Sequence, residues 1–407
     1  MYVIKRNGMK QELDIKHIRK QTLPACEGLK NVSYEELELS VQIMFQDGIK
    51  SSDIQQALID TAKSKVDVQC PQWTYVAQRL SLYDLYHNIK RYYSRPGSGD
   101  VYEKVTLELY IIRNKDIFSD WFTKYTDEEI EELNSYIDPK RDLLFDCAGF
   151  ELMKKMYLAK NNGYIVELPQ HMHMAIAMFA MQNEDKKKRI EYVKEYYDAT
   201  SKLEFINATP INANARLSMG SYISCILTTT PDSTDGIMNV ATELANASRS
   251  GSGVGVDITK IRSIGSAIGY NANAAGGKIP FMKIYNDIAL AFDQNGKRPG
   301  AFMLQTESWD LEIFDFINVR KTSGDERRRA HNIQLCISYS DLHMKRAMEN
   351  GDWTLFDPAD VPFLTETWGD KFEKEYLKYE QRYQEQPELF NKNTKVVKAR
   401  DVLQYHF

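Results

Sequence analysis

The sequence has little of the features that mark membrane, secreted or nucleic-acid-binding proteins. No apolar stretch of about 18 residues occurs, so we predict no membrane-spanning helix, and the amino terminus lacks the apolar core of a secretory signal. The five cysteines are scattered, odd in number and never arranged as C-x-x-C. This pattern argues against a disulfide scaffold and a zinc site, and it favours a reducing cytoplasm.

Positive charge is not in excess either. The chain has 52 Lys and Arg against 57 Asp and Glu, a net charge of −5, which does not favour a nucleic-acid partner. Two short basic runs, at 186–189 and 327–329, are flanked by acidic residues and are typical of solvated surface. What is present, 407 residues with 43% apolar and 27% charged, predicts a globular protein of two or three domains.

The first part of the chain is predicted to be mostly helical. Asn7 and Gly8 between two short strands predict a β-hairpin, followed by helices at about 15–28, 34–45, 52–65 and 71–92. Thr126, with Glu129 three residues later, predicts a capped helix start. His171 and His173 could suggest a metal site. Residues two apart point to different faces of a helix, however, and the run is apolar, so we expect a core role and no bound metal.

From residue 209 short apolar runs alternate with helical patterns. We predict strands at 223–227, 253–257 and 332–338, separated by helices at 233–249, 281–293 and 307–319. Such alternation is typical of an α/β fold with a mostly parallel sheet. A charged helix is predicted at 370–385, and a further helix at 396–405.

Two loops have compositions that suit ligand binding. The glycines at 251–255 are spelled like a dinucleotide fingerprint, but a helix precedes them and a strand follows, which is the reverse of the Rossmann order. We therefore expect them to end a helix and to permit close backbone approach. Asp232 is the expected cap of the helix at 233–249, whose first amides could hold a phosphate or a sugar hydroxyl. The loop at 293–300 is either a surface turn or a ligand-gripping loop.

The most informative stretch joins Thr209-Pro210 to Ser224-Cys225, 15 residues later. We expect it to place hydroxyls and a thiol at the ends of neighbouring strands. This stretch resembles the substrate-binding segment of the large subunit of class I ribonucleotide reductases, and the resemblance extends over residues 3–402. It implies an ATP-cone at 1–92, a helical domain at 93–205, the first half of a ten-stranded α/β barrel at 206–390, and a truncated helix or tail at 391–407.

The resemblance also implies roles for individual residues. Cys225 would be one of the two cysteines that reduce the 2′ position of the substrate, and the other four cysteines would be buried spacers. Gly269 departs from the family, because some members have a phosphate-binding arginine there. The implied substrate-binding residues are Thr209, Ser224, Cys225, Gly253 and Arg298. The implied residues for the deoxynucleotide effector are Asp232, Ser233, Thr234, Arg262, Gln294 and Lys297.

In the ATP-cone, cationic side chains would meet the triphosphate of ATP or dATP. The implied contacts are Lys5, Arg6, Gln11, Asp14, His17 and Ser51. The chain departs from the family pattern at Gln55, Asp84 and His87, where the family often has histidine or lysine. These departures favour a weak nucleotide site.

The family's N-x-C-x-E loop, which holds the radical-forming cysteine and the general-base glutamate, does not occur in this sequence. We therefore expect a second polypeptide with the carboxy-terminal half of the barrel, a metal-containing small (beta) subunit that supplies the radical, and a thioredoxin- or glutaredoxin-type reductant. The chain itself would hold no cofactor. The alternatives are a non-catalytic regulator that binds ATP or dATP and an inactive truncated fragment. A cobalamin-dependent relative also shares these residues.

Overall fold

The computed structural model describes residues 1–294 and 298–407, and these residues form two compact units, Met1–Tyr222 and Ile223–Phe407. Within the described ranges, every helix is either too short or too polar to cross a bilayer. The domain boundaries expected from the sequence remain predictions.

The first unit is mostly helical, with short strands near its amino terminus and its middle. Its strands are β1 (Tyr2–Ile4), β2 (Lys10–Glu12), β3 (Ile49–Lys50), β4 (Lys160–Asn161) and β5 (Tyr164–Ile165). Its helices are α1 (Ile15–Cys26), α2 (Tyr34–Gln42), α3 (Ser51–Ser64), α4 (Trp73–Tyr92), α5 (Val101–Lys104), α6 (Leu107–Asn114), α7 (Asp127–Tyr136), α8 (Cys147–Leu152), α9 (Pro169–Met181), α10 (Arg189–Ser201) and α11 (Thr209–Asn214).

The amino-terminal part of this unit is a small sheet packed on four helices. β1 and β2 pair antiparallel as the predicted hairpin, and Gly8 adopts the positive φ of +84° that its turn requires. β3 pairs parallel to β1, so the strand order is β2-β1-β3. Helices α1 to α4 lie within three residues of their predicted bounds and bury a common core that includes Leu37, Leu58 and Val76.

Three predictions for the rest of the unit have clear outcomes. Helix α7 begins after Thr126 with the expected capping box to Glu129. His171 and His173 lie buried in α9, and burial lowers the pKa of each to about 3, so both are neutral core residues at physiological pH. The expectation for Thr209 was wrong, because this residue opens helix α11 instead of ending a strand. Pro210 fits the first turn of that helix, where its missing N–H leaves no hydrogen bond unmade.

The second unit is an α/β structure. Its strands are β6 (Cys225–Thr229), β7 (Gly253–Asp257), β8 (Phe302–Glu307), β9 (Ile333–Ser338), β10 (Asp352–Leu355) and β11 (Lys395–Lys398). Its helices are α12 (Thr234–Arg249), α13 (Ile279–Ala291), α14 (Ile313–Asn318), α15 (Asp341–Glu349), α16 (Gly369–Glu385) and α17 (Ala399–His406).

The predicted parallel sheet is present, with the order β6-β7-β8-β9 and all three pairings parallel. One face of the sheet packs on helices through residues such as Val254, Val256, Leu304 and Ile333. One strand was missed and two helix predictions were wrong. Strand β8 was not predicted, and the helix expected at 307–319 is reduced to α14. The helix expected from residue 396 begins as strand β11, which pairs antiparallel with β10.

Candidate functional site

The sheet of the second unit presents one face that helices do not cover. Because paired residues of a parallel sheet point to the same face, this open face carries Cys225 beside Gly253, and Leu227 beside Gly255 and Met303. Cys225 and Met303 are exposed, and Leu227 is 83% exposed. Parallel sheets are normally covered on both faces. The open face is therefore unusual for a parallel sheet.

The glycines at 251–255 end a helix and begin a strand, as the sequence predicted. Gly251 has a φ of +97° and follows the last turn of α12, and Gly253 begins β7. At Gly255, a Cβ atom would lie 2.7 Å from Leu227 Cδ2. The absence of a side chain at Gly255 therefore leaves room for the Leu227 side chain. Both residues line a pocket of about 340 Å³.

Four of the substrate-binding candidates lie at the edge where these strands begin. Cys225 and Gly253 are the first residues of β6 and β7, and the Ser224 carbonyl accepts a hydrogen bond from the Gly253 amide at 2.8 Å. Arg298 precedes β8 at the same edge and lines a cavity of about 690 Å³ with Asn332 and others. Thr209 belongs to the first unit, where it opens α11.

The effector candidates around α12 pair with one another. The Asp232 carboxylate accepts hydrogen bonds from the Arg262 backbone N at 3.2 Å and from its Nε at 2.8 Å. The expectation that Asp232 caps α12 was wrong: Ser233 is the cap and accepts from the Gly236 amide at 3.1 Å, and Thr234 is the first helical residue. The Asp232 carboxylate accepts from Arg262 and not from the amides of α12. Ser233, whose side chain is shorter, caps the helix instead.

The loop before β8 is anchored by its first residue. Gln294 is buried, donates from Nε2 to the Ser252 carbonyl at 3.3 Å, and its backbone N donates to the Arg298 carbonyl at 2.7 Å. Lys297, the remaining effector candidate, lies outside the described residues. The contact to Ser252 links the loop to the start of β7, next to Gly253.

The five cysteines differ in access to solvent. Cys225 is exposed, whereas Cys26 and Cys147 are buried. Burial raises the pKa of the Cys26 thiol to about 11 and also raises the pKa of Cys147. The expectation that all of the others are buried spacers was wrong for Cys70 and Cys336, which are half-buried.

Sequence reasoning missed one titratable group on the open face. Glu307, the last residue of β8, pairs in register with Ser338. Burial, with a smaller contribution from the nearby Asp257, raises the pKa of its carboxyl to about 7, although the hydrogen bond with Ser338 and the charge of Lys278 act in the opposite direction. Had β8 been recognised, its alternation from Phe302 would have placed Glu307 on the same face as Met303.

A second candidate site lies in the first unit, in a cavity of about 830 Å³ between the hairpin and helices α1, α3 and α4. All six residues expected to contact ATP or dATP line this cavity: Lys5, Arg6, Gln11, Asp14, His17 and Ser51. Asp14 also caps α1, and its Oδ2 lies 3.4 Å from His17 Nδ1. The structure thus brings together residues that are up to 46 positions apart in the sequence.

Helix α4 adds Asp84 and His87, the expected departures from the family pattern, and Arg91, which was not predicted to belong to a site. Asp84, His87 and Arg91 follow a three-to-four-residue spacing that places them on one helix face. Arg6 forms an ion pair with Asp84, and Arg91 donates to the Arg6 carbonyl at 3.3 Å. Burial lowers the pKa of His87, as do the charges of Arg6 and Arg91, so His87 is neutral at physiological pH.

Known protein families match most of the chain. The ATP cone domain family matches residues 1–88, the all-alpha domain of ribonucleotide reductase matches 143–220, and the barrel domain of ribonucleotide reductase matches 223–405. The last two matches meet within three residues of the division between the two compact units.

Curated relatives are similar along nearly the whole chain. The ribonucleoside-diphosphate reductase subunit alpha of Helicobacter pylori strain J99 is 43% identical over 379 residues, which cover 93% of this chain and 47% of the relative. The subunit alpha from Synechocystis is 33% identical over 386 residues, 93% of this chain and 48% of the relative. The reductase 1 subunit alpha of Escherichia coli is 30% identical, with 93% and 50% covered. The chain spans about half the length of these relatives.

Proposed function

Because this chain belongs to the family of ribonucleotide reductase large subunits and spans its amino-terminal portion, with an ATP-cone, all-alpha domain and partial barrel, we propose that it contributes to the reduction of ribonucleoside diphosphates to deoxyribonucleoside diphosphates. The observation that carries this proposal is the open face of the parallel sheet, with the thiol of Cys225 exposed at its edge. A regulator alone would have no use for an accessible thiol beside a substrate-sized surface.

Cys225 would act as one of two reducing thiols. In the proposed step the C2′–OH bond breaks, the hydroxyl leaves as water, and hydrogen takes its place. Two electrons come from Cys225 and a second thiol, which join as a disulfide, and of their two protons one goes to the leaving hydroxyl and the other to C2′. A thioredoxin- or glutaredoxin-type dithiol would then reduce that disulfide. The exposure of Cys225 suits both reactions, because each requires a partner to reach the sulfur.

The second thiol and the radical would come from protein segments other than residues 1–407. We propose that the remaining strands of the barrel cover the open face and bring an N-x-C-x-E loop against Cys225. Exposed apolar side chains such as Leu227 and Met303 support a covered state, because apolar strand surface facing water favours association. We propose that a second polypeptide carries the covering segment. A metal-containing small subunit would supply the radical.

Nucleotides would also bind as effectors. The cavity of the cone, to which Lys5, Arg6 and Arg91 contribute, would receive ATP or dATP, and the region around Asp232, Ser233 and Arg262 would receive a deoxynucleotide. We place the assembled enzyme in the cytoplasm, since all five cysteines are free thiols.

Reconstitution tests the proposed activity. The chain is combined with a polypeptide that carries the rest of the barrel, a radical-bearing small subunit, cytidine diphosphate and a thioredoxin system, and deoxycytidine diphosphate is quantified. We expect turnover by the complex, none by the chain alone, and none with Cys225→Ser. Cys336→Ser is the matched control, because Cys336 lies on the same face of the sheet and should be dispensable.

Either of two results would refute the proposal: steady turnover by the isolated chain, or full activity of the Cys225→Ser complex. Purification of the chain from its native source shows whether a second polypeptide co-elutes. A chain that co-purifies with no reductase segment and still binds dATP would support the regulator instead.

A further inference from the structure

The guanidinium group of Arg6 is already held by a carboxylate within the cone. Arg6 Nη2 pairs with Asp84 Oδ1, and Arg6 Nη1 donates to Asn88 Oδ1 at 2.5 Å. Asn88 Nδ2 in turn donates to Asp84 Oδ2 at 3.0 Å. The three side chains therefore form a closed triad, in which the asparagine contacts both charged partners.

This triad lies where two cavities meet. Arg6 and Asp84 line both the cavity of about 830 Å³ and a neighbouring cavity of about 590 Å³. The side chains of Arg6 and Asp84 are 19% and 24% exposed, so the pair is screened from bulk water but open to both cavities. A ligand in either cavity would meet the ion pair from its open side.

The Asp84 carboxylate opposes the binding of an anionic ligand at the triad. The lining cations of the two cavities are Lys5, Arg6, Lys50 and Arg91, while the lining anions are Glu12, Asp14 and Asp84. Asp84 is the carboxylate paired with Arg6. A polyphosphate that engages Arg6 must displace Asp84, and the released carboxylate would then lie close to the incoming negative charge.

Resting on the proposed function of the cone, we propose that the Asp84 carboxylate competes with the polyphosphate of an adenine nucleotide for Arg6 and thereby sets the nucleotide affinity of the cone. Asn88 is a positioning residue that keeps Asp84 on Arg6. In the absence of nucleotide the triad neutralises Arg6, and only a ligand with several negative charges is able to replace Asp84. Asp84 thus makes the cone a low-affinity sensor.

Calorimetric titration of the full 407-residue chain tests this proposal. The ligands are ATP, dATP, inorganic tripolyphosphate and adenosine, and the variants are Asp84→Asn, Asp84→Ser and Asp60→Asn. Asp60 is the matched control, an exposed carboxylate on α3 that lines neither cavity. Because the Arg6–Asp84 pair is partly exposed, its loss should leave the fold intact, which a thermal melt followed by circular dichroism verifies.

We expect Asp84→Asn and Asp84→Ser to bind ATP, dATP and tripolyphosphate about tenfold more tightly than the unmodified chain, since a charge-assisted contact to Arg6 is freed. Asp60→Asn should bind within about twofold of the unmodified chain, because the carboxylate of Asp60 is exposed, screened by solvent and not part of either cavity lining. Adding Arg6→Gln to Asp84→Asn should remove the gain. Adenosine should not distinguish the variants.

The proposal is overturned if Asp84→Asn binds polyphosphate no more tightly than Asp60→Asn, or if the gain persists without Arg6. In that case the unmodified chain still binds ATP or dATP, and the proposed function of the cone stands. If neither the unmodified chain nor any variant binds nucleotide or tripolyphosphate, both the inference and the cone's proposed function fail.

Discussion

Arg216 and Glu167 form an ion pair from which solvent is completely excluded, with 0% of either side chain exposed. Arg216 Nε donates to Glu167 Oε1 at 2.5 Å, and its two terminal nitrogens donate to the Asn212 and Tyr157 carbonyls, each at 2.7 Å. Glu167 also accepts from the Ala159 amide at 2.7 Å. The pair ties the segment after α11 to the strand region around β5.

Removing one member of this pair should be strongly destabilising. Arg216→Met would leave the Glu167 carboxylate buried without its counter-ion, which we expect to lower the free energy of unfolding by about 3 to 5 kcal/mol. Urea denaturation followed by circular dichroism measures the change. Lys194→Met is the control, because Lys194 pairs with Glu132 at the surface and such pairs contribute less than about 1 kcal/mol. Equal losses in the two variants would contradict the prediction.

The raised pKa of Glu307 predicts a specific pH dependence. Its carboxyl titrates near pH 7 in the folded chain, above its ordinary value of 4.5, so the folded state holds the proton more tightly. Stability from this group is complete below about pH 4.5, falls as the pH rises towards 7, and changes no further above that.

Glu307→Gln should remove this dependence. At pH 8 the variant should be more stable than the unmodified chain by up to about 3 kcal/mol, and at pH 4.5 the two should be similar. Denaturant titrations at a series of pH values measure the difference. Glu366→Gln, at a carboxyl that is 66% exposed, provides the control. If both variants follow the same pH profile, burial does not perturb Glu307.

The cysteines should differ in their rates of alkylation. We expect iodoacetamide to modify Cys225 first, Cys70 and Cys336 more slowly, and Cys26 and Cys147 last, because buried thiols with raised pKa values expose little thiolate. Peptide mass spectrometry after timed quenching gives the order. Labelling in denaturant should abolish the differences. Modification of Cys26 as fast as Cys225 would contradict the structure.

Local patterns predicted a large part of the fold. The hairpin at Asn7-Gly8, the capping box at Thr126 and the bounds of β7 were all predicted from the local pattern of residue types. Strand β8 escaped prediction because its second half, Gln305 to Glu307, is polar. Those side chains alternate between a helix-covered face and an open one, a distinction that depends on neighbouring strands.

The sequence by itself determined the order of the segments, the parallel α/β character of the second unit and the family to which the chain belongs, because turn chemistry, periodicity and motif spacing are encoded locally. Only the tertiary structure decided that 395–398 is a strand, since its partner β10 lies about 40 residues earlier. It alone showed that Asp84 holds Arg6, although 78 residues separate them. The strand and the ion pair both depend on contacts between segments that are distant in the sequence. A local sequence pattern therefore cannot predict them.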